Sequence, residues 1–308
     1  MKCILLGSGG HLPLVERFLT SVAVRFGGDI YLFDAGECTQ LALRKAKLTA
    51  GRLKVLAVSH MHGDHCLGIP GLLMLRGQDP DPRPITIIGP PGIKKYVSET
   101  LYSMNHTPRF EIHYHEWDEK SETAWEDEAV SIRWLPLNHR IFCLGYRLEE
   151  HPRPGKFNTA AAEKLGVPPG PYRADLQRGK TVTLENGTTV EPSQVLGPSR
   201  PGKVFAFATD TGRCKNLYPL LNEADIAFIE GTFHPDETTE AARSGHMTIS
   251  ETCRIAGRAG VKRTVIVHLS PRYRSETDMA RLHRAVLKAG IKAEIGVDSA
   301  VYHVTETV

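Results

Sequence analysis

Between residues 60 and 65 the chain reads His60-Met61-His62-Gly63-Asp64-His65, which sets four potential metal ligands within six positions. They follow directly on the apolar run 54–58. Imidazole and carboxylate donors together suit zinc or a similar divalent cation. Three histidines and an aspartate crowded at the end of a strand would be costly to desolvate without a cation among them. Three more residues repeat the placement. His139 follows the run 131–137, Asp210 follows 204–208 and His268 follows 264–267. In α/β sheets such strand ends converge on a common crevice. The seven residues are five histidines and two aspartates, more than a single four-coordinate zinc accepts. The pattern therefore expects two metals, with one carboxylate able to bridge them. Centres of that kind typically hydrolyse phosphate or other ester bonds. His246, in Ser244-Gly245-His246, precedes an expected helix. Its local sequence fits a polar loop residue as well as a catalytic one, and an imidazole is suited to donate a proton near neutral pH.

The elements that must carry these residues are short. Apolar runs predict strands at 2–6, 21–26, 30–33, 54–58, 85–88, 130–135, 143–148, 204–208, 226–229 and 264–267. Apolar spacing behind polar starts predicts helices at 39–46, 91–103, 249–259 and 276–289. Strands interleaved with helices suggest an α/β architecture with two sheet layers. The 308 residues are 41% hydrophobic and 24% charged, a globular composition that excludes global disorder. A net charge of +3 leaves no global polycation, so any surface for an anionic partner must be local. The six cysteines form no CxxC pair, which argues against a disulfide framework and fits a reducing, cytoplasmic setting. No apolar run reaches the length of a membrane span or of a signal-peptide core. Gly7-Ser8-Gly9 has Leu12 where a dinucleotide-binding loop needs its third glycine.

Residues 151–203 differ from the rest. They hold eight of the 20 prolines and seven of the 28 glycines, and eight Lys or Arg against four acids. The whole positive balance of the chain sits there. Such a segment reads as a solvated linker or as an arm that contacts phosphates.

HMHGDH resembles the HxHxDH signature of the metallo-β-lactamase fold, and further blocks narrow the resemblance to ribonuclease Z, the tRNA 3′-processing endonucleases. Residues 32–40, LFDAGECTQ, are similar to that family's LFDCGEGTQ, with Ala35 and Cys38 as departures. Gly68-Ile69-Pro70-Gly71-Leu72-Leu73 is similar to GLPGLL, and Gly166-Val167-Pro168-Pro169-Gly170-Pro171 to the GVPPGP of the family's tRNA-binding arm. Glu230-Gly231-Thr232, Gly245-His246-Met247-Thr248 and His268-Leu269-Ser270-Pro271-Arg272-Tyr273 resemble its EAT, GHST and H-[IV]-S-x-R-Y blocks.

The resemblance implies a four-layer αβ/βα sandwich spanning 1–308 as one domain, with 151–203 inserted as a flexible arm. It implies two zinc ions per chain: His60, His62 and His139 on one, Asp64, His65 and His268 on the other, and Asp210 bridging. It implies Asp64 and His246 as catalytic residues, with Asp34 bracing the ligand loop and Glu230 orienting His246. Gly166, Pro168, Pro169, Gly170 and Pro171 would meet precursor tRNA, and the enzyme would be a homodimer. The competing reading is a small-molecule phosphodiesterase or other ester hydrolase of the same fold. It shares every metal ligand but has no evident use for the arm. The stretch Pro13-Leu14-Val15-Glu16-Arg17-Phe18 resembles a PxKxRN loop linked in the family to rejection of tRNA ends that already bear CCA. Val15 and Phe18 replace its lysine and asparagine, so weaker discrimination is expected, with Phe18 open to stacking on a base.

Overall fold

The computed structural model describes residues 1–121 and 123–304. The chain forms two compact units; one comprises Glu128–Val130 and Glu149–Lys203, the other the rest of the described chain. In chain order the strands are β1 (Lys2–Gly7), β2 (Ser21–Phe26), β3 (Asp29–Phe33), β4 (Leu53–Ala57), β5 (Ile85–Gly89), β6 (Ile112–Glu116), β7 (Thr123–Glu126), β8 (Val130–Leu137), β9 (Cys143–Glu150), β10 (Val182–Thr183), β11 (Thr189–Val190), β12 (Val204–Ala208), β13 (Ile226–Glu230), β14 (Thr264–Val267), β15 (Ala293–Ile295) and β16 (Val301–His303).

The larger unit is built on two seven-stranded sheets. The first runs β16-β1-β2-β3-β4-β5-β6 and the second β15-β14-β13-β12-β9-β8-β7. From β3 to β6, and from β12 to β15, neighbours are parallel. Parallel strands are covered on both faces, which is why VFAFA, TVIV and ITIIG are apolar without alternation. On the outer face of the first sheet, Leu32 and Leu56 pack with Leu43, Leu72, Leu73 and Val97 of the helices Thr39–Lys45, Ile69–Arg76 and Ile93–Ser103. On the outer face of the second, Ala208 and Ile229 pack with Leu217, Leu220 and Ala256, and Ile266 with Cys253 and Leu282. Those side chains come from Leu217–Leu221, Ile249–Arg258 and Glu276–Lys288. This is the αβ/βα sandwich in four layers.

Aromatic rings join the two inner faces. The Phe33 ring lies 4.7 Å from Phe205, 5.8 Å from Phe207 and 6.0 Å from Tyr146, centroid to centroid. Each such pair is worth about 0.5–1.5 kcal/mol beyond its burial. Tyr146 Oη also donates to Val58 O at 2.6 Å, tying β9 to the end of β4. These contacts lie just beneath the strand ends from which the candidate ligands project.

All ten expected strands and four expected helices are present, with ends shifted by at most two residues. The edge strand β6, IHYHE, escaped the sequence reading because its outward residues are polar and exposed. The helix Ile69–Arg76 escaped it because Pro70 and Gly71 look like breakers. A proline in the first helical turn costs no hydrogen bond.

The smaller unit is more than a linker. Ala162, Val167, Leu176, Val182, Leu184, Val190 and Val195 form its own buried core. Around them fold the helices Thr159–Lys164 and Pro171–Gln177 and the β10–β11 hairpin. Asn158 caps the first helix by accepting from Ala161 N. Between the helices, Val167 is buried while Gly166, Pro168, Pro169, Gly170 and Pro171 are exposed. Gly170, with φ 117°, sits where no L side chain is comfortable. Arg173 fixes the loop from below by donating Nε and Nη2 to Val167 O at 3.1 and 2.9 Å. Among the described residues no helix is long and apolar enough to cross a membrane.

Candidate metal centre

Every residue singled out as a ligand lies in the larger unit, just beyond a strand. His60 follows β4, His139 follows β8, Asp210 follows β12 and His268 follows β14. His62 precedes, and Asp64 and His65 occupy, the single turn Gly63–Cys66. Asp34, Asp210 and His268 have φ of 60°, 45° and 58°. Non-glycine residues held there cost of order 1–3 kcal/mol each and persist where the surroundings over-determine them.

The seven residues meet as two sets that share Asp210: His60, His62, His139 and Asp210, and Asp64, His65, Asp210 and His268, with ligand atoms in each set within 4.8 Å of one another. In the first set His60 Nε2 is 2.9 Å from His62 Nδ1, and His139 Nε2 is 3.4 Å from the same atom. Asp210 Oδ2 lies 3.6 Å from His60 Nε2 and 3.9 Å from His139 Nε2. In the second, Asp210 Oδ1 is 3.2 Å from His65 Nε2 and 3.0 Å from His268 Nε2. Asp64 Oδ2 is 3.3 and 3.4 Å from the same two nitrogens. Tetrahedral ligands on bonds of about 2.0–2.1 Å are about 3.3 Å apart, so both sets fit a cation. His65 Nε2 supplies an independent sign. It is buried and makes no hydrogen bond, although its other nitrogen does, so a lone pair aimed at a cation accounts for it.

The remaining nitrogens of four of the five imidazoles are held from outside. Asp34 Oδ2 accepts from His65 Nδ1 at 2.7 Å, and its two oxygens also accept from Ser59 N and Ser59 Oγ at 2.6 and 2.7 Å. Ser59 Oγ is 2.9 Å from His60 Nδ1, Gly245 O is 3.0 Å from His139 Nδ1 and Thr232 Oγ1 is 3.0 Å from His268 Nδ1. Such partners set the ring orientation and select which nitrogen is free. His11 N donates to Asp64 Oδ2 at 2.7 Å. Sequence reasoning found Asp34 but missed Ser59, Thr232, His11 and Gly10. Gly10 has a steric reason: a Cβ there would stand 2.4 Å from the buried His268 ring. Nothing in its local sequence distinguishes it from an ordinary loop glycine.

Burial, followed by the positive neighbour His65, keeps His60 well below the usual histidine range; burial also lowers His62 and His139. That direction favours the neutral form, the one that offers a lone pair. Burial works against the charge on Asp210, yet His268, His65 and His60 hold its carboxyl well below the usual range. Burial likewise opposes charge on His65, but Asp210, Asp34 and Asp64 outweigh it and raise that imidazole; a cation among those carboxylates would oppose the rise and leave the Nε2 lone pair free.

His246 stands beside both sets. Its ring is 5.1 Å from that of His139 and stacked 5.3 Å from that of His268. His246 Nδ1 is 2.9 Å from Glu230 Oε1. Glu230 ends β13, fully buried, and accepts from Thr211 N, Thr232 Oγ1 and Met247 N at 2.6, 2.8 and 3.0 Å. Burial alone would lower the His246 pKa, but the Glu230 carboxylate beside it pushes the pKa up to about 9. The following helix starts with a capping box between Thr248 and Glu251, which fixes the chain just past His246.

The loop before β2 lies against the same region. Arg17 Nη2 donates to Tyr273 O at 2.7 Å, and Val15 is 93% exposed. Phe18 is half-buried against the first sheet's core, with Lys45 Nζ 5.6 Å from its ring centroid.

Comparison with known proteins agrees with this geometry. The Beta-lactamase superfamily domain matches residues 30–157 and 172–269. The chain is 39% identical over 282 residues to a ribonuclease Z of Borrelia hermsii, covering 90% of this chain and 88% of the relative. It is 40% identical over 273 residues to a ribonuclease Z of Treponema denticola, covering 89% and 88%. The crystal structure of human tRNase Z, short form, aligns with a TM-score of 0.72 at 23% identity over 99% of this chain and 100% of that one, a likeness of fold.

Gly10→Ala is expected to push His268 off the second ligand set and leave the first intact. Elemental analysis should find the bound metal reduced to about half of the unsubstituted level, with the fold retained by circular dichroism. Full metal content in that variant would contradict the steric role of Gly10.

Proposed function

The chain belongs to the ribonuclease Z family of the β-lactamase superfamily, and from that membership we propose that it is a zinc-dependent endoribonuclease that removes 3′ trailers from tRNA precursors. The products are a tRNA with a 3′-hydroxyl and a trailer with a 5′-phosphate. Two zinc ions per chain are its cofactors, one held by His60, His62, His139 and Asp210, the other by Asp64, His65, His268 and Asp210. The observation that carries this reading is the division of the two Asp210 oxygens between two ligand sets. When bound, such a metal pair lowers the pKa of a water and stabilises negative charge growing on phosphoryl oxygens.

The chain's own residues supply the rest. Asp64 Oδ2 is engaged by His11 N and faces His65 and His268. Oδ1 is then the atom that orients the attacking water and takes its proton. His246, with Nδ1 engaged by Glu230, gives a hydrogen bond or a proton from Nε2 to the leaving 3′ oxygen. Glu230 keeps that ring in orientation, and Asp34 fixes the tautomer of His65.

Precursor tRNA is the partner, met by the smaller unit. Within it, residues 151–203 carry eight basic residues against four acids, which suits a phosphate backbone. Its exposed loop of Gly166, Pro168, Pro169, Gly170 and Pro171 is stiffened by proline and pinned by Val167. A small-ester hydrolase needs only the ligand sets and has no use for such a unit. The enzyme works as a homodimer, as its family resemblance implies, and in the cytoplasm, where six unpaired cysteines are at ease.

Purified protein should cut an unmodified tRNA precursor to a 3′-hydroxyl end, and a chelator should abolish the cut. Hydrolysis of small phosphodiesters with the precursor left intact would favour the small-ester reading instead. His246→Ala should slow cleavage by about 10²–10⁴-fold with metal content kept. The loss should be smaller on a substrate with a good leaving group, and equal losses on both would count against proton donation.

Deleting residues 155–200 should weaken precursor binding and flatten its dependence on salt while metal content stays normal. Unchanged affinity would remove the arm from recognition.

A further inference from the structure

Two aromatic rings pack together beside the strand ends that carry the candidate ligands, and the fold leaves both partly uncovered. Phe142 lies between the ligand His139 and β9 and is 39% exposed; Ile141 beside it is 37% exposed. The half-buried Trp117 packs against Phe142 with ring centroids 4.7 Å apart and planes at 50°. Both rings are anchored to the strand ends that present the ligands. Leu144 N donates to Ser59 O at 2.9 Å, one residue from His60. Cys143 Sγ reaches Thr209 O at 3.6 Å, one residue from Asp210. Trp117 N donates to Gly89 O at 2.8 Å, at the end of β5, the strand next to β4. Arg140, adjoining Ile141, is exposed; its Nη2 donates to Arg243 O at 2.9 Å, and it has no carboxylate partner among the described residues.

We propose that Trp117 and Phe142 form a stacking platform for an unpaired nucleobase flanking the scissile phosphate, with Arg140 beside it for the strand's backbone. The proposal rests on the RNA-cleaving reading above. An aromatic face for a base next to an unpaired cation for a phosphate is the chemistry of single-stranded nucleic-acid recognition. The nucleotides around the cut must be unpaired to reach a centre set among strand ends, so their bases need such a surface. Phe142, 39% exposed and held by its neighbours' backbone, offers one.

The test is a cycle between protein and substrate. Precursors are made with an abasic residue at each nucleotide flanking the cleavage position in turn, and each is cut by the unsubstituted protein, Phe142→Ala and Phe142→Trp. On the intact precursor Phe142→Ala should lose about tenfold in kcat/KM, the scale of one base–aromatic stack, and Phe142→Trp should retain activity. On one abasic precursor the unsubstituted protein should suffer the same loss, and Phe142→Ala should lose nothing further. Full activity of Phe142→Ala on the intact precursor overturns the platform while leaving the tRNA-cleaving function standing. So does a loss that persists on every abasic precursor, or one that accompanies a change in oligomeric mass by light scattering, which would assign the rings to contact between copies. Failure of the unsubstituted protein to cut the intact precursor overturns both.

Discussion

A buried carboxylate with each oxygen turned to a different group of imidazoles is the constraint on which the structure depends. Asp210 is 3% exposed, and each of its oxygens faces two imidazole nitrogens. Taking a carboxylate out of water costs several kcal/mol unless opposite charge compensates it. Here the compensation comes from a crowd of ligand types that would repel or strand one another without cations. The strain at Asp34, Asp210 and His268, the dense ring of outer hydrogen bonds and the absence of a Cβ at Gly10 all serve to hold that crowd in place.

Both ligand sets draw on both sheets. His60, His62, Asp64 and His65 come from the loop after β4, whereas His139, Asp210 and His268 come from ends of strands in the second sheet. The relative position of the sheets therefore sets the geometry of the site, and the Phe33–Phe205–Phe207 contacts are part of the core that fixes it. The converse also holds. Ions that bind only the folded arrangement add their binding free energy to the pairing of the sheets.

Much of this was legible in the sequence because the chemistry concentrates it. Parallel strands are apolar from end to end, antiparallel β8 alternates, and a His or Asp directly behind either marks a strand end facing a crevice, so β4, β8, β12 and β14 and the candidate ligands behind them could be read without coordinates. Asp34 and Glu230 were reachable only through resemblance, since a turn aspartate and a strand-terminal glutamate look ordinary alone. Ser59, Thr232, His11 and Gly10 were not legible. Their roles come from distances across the fold, and their residue types are what any loop contains. The arm's composition was clear but its structure was not, because seven small apolar residues spread over 34 positions give no period to detect. The half-buried state of Phe18 was equally hidden, being decided by a helix distant in sequence.

The most direct measurement is the zinc content of three purified proteins, the unsubstituted chain, His139→Ala and Asp210→Ala, determined by elemental analysis. The expected contents are about two zinc ions per chain for the unsubstituted protein, about one for His139→Ala and well under one for Asp210→Ala. Equal zinc in His139→Ala and Asp210→Ala would mean that Asp210 serves a single ion, and the shared carboxylate would not be the centre of the site.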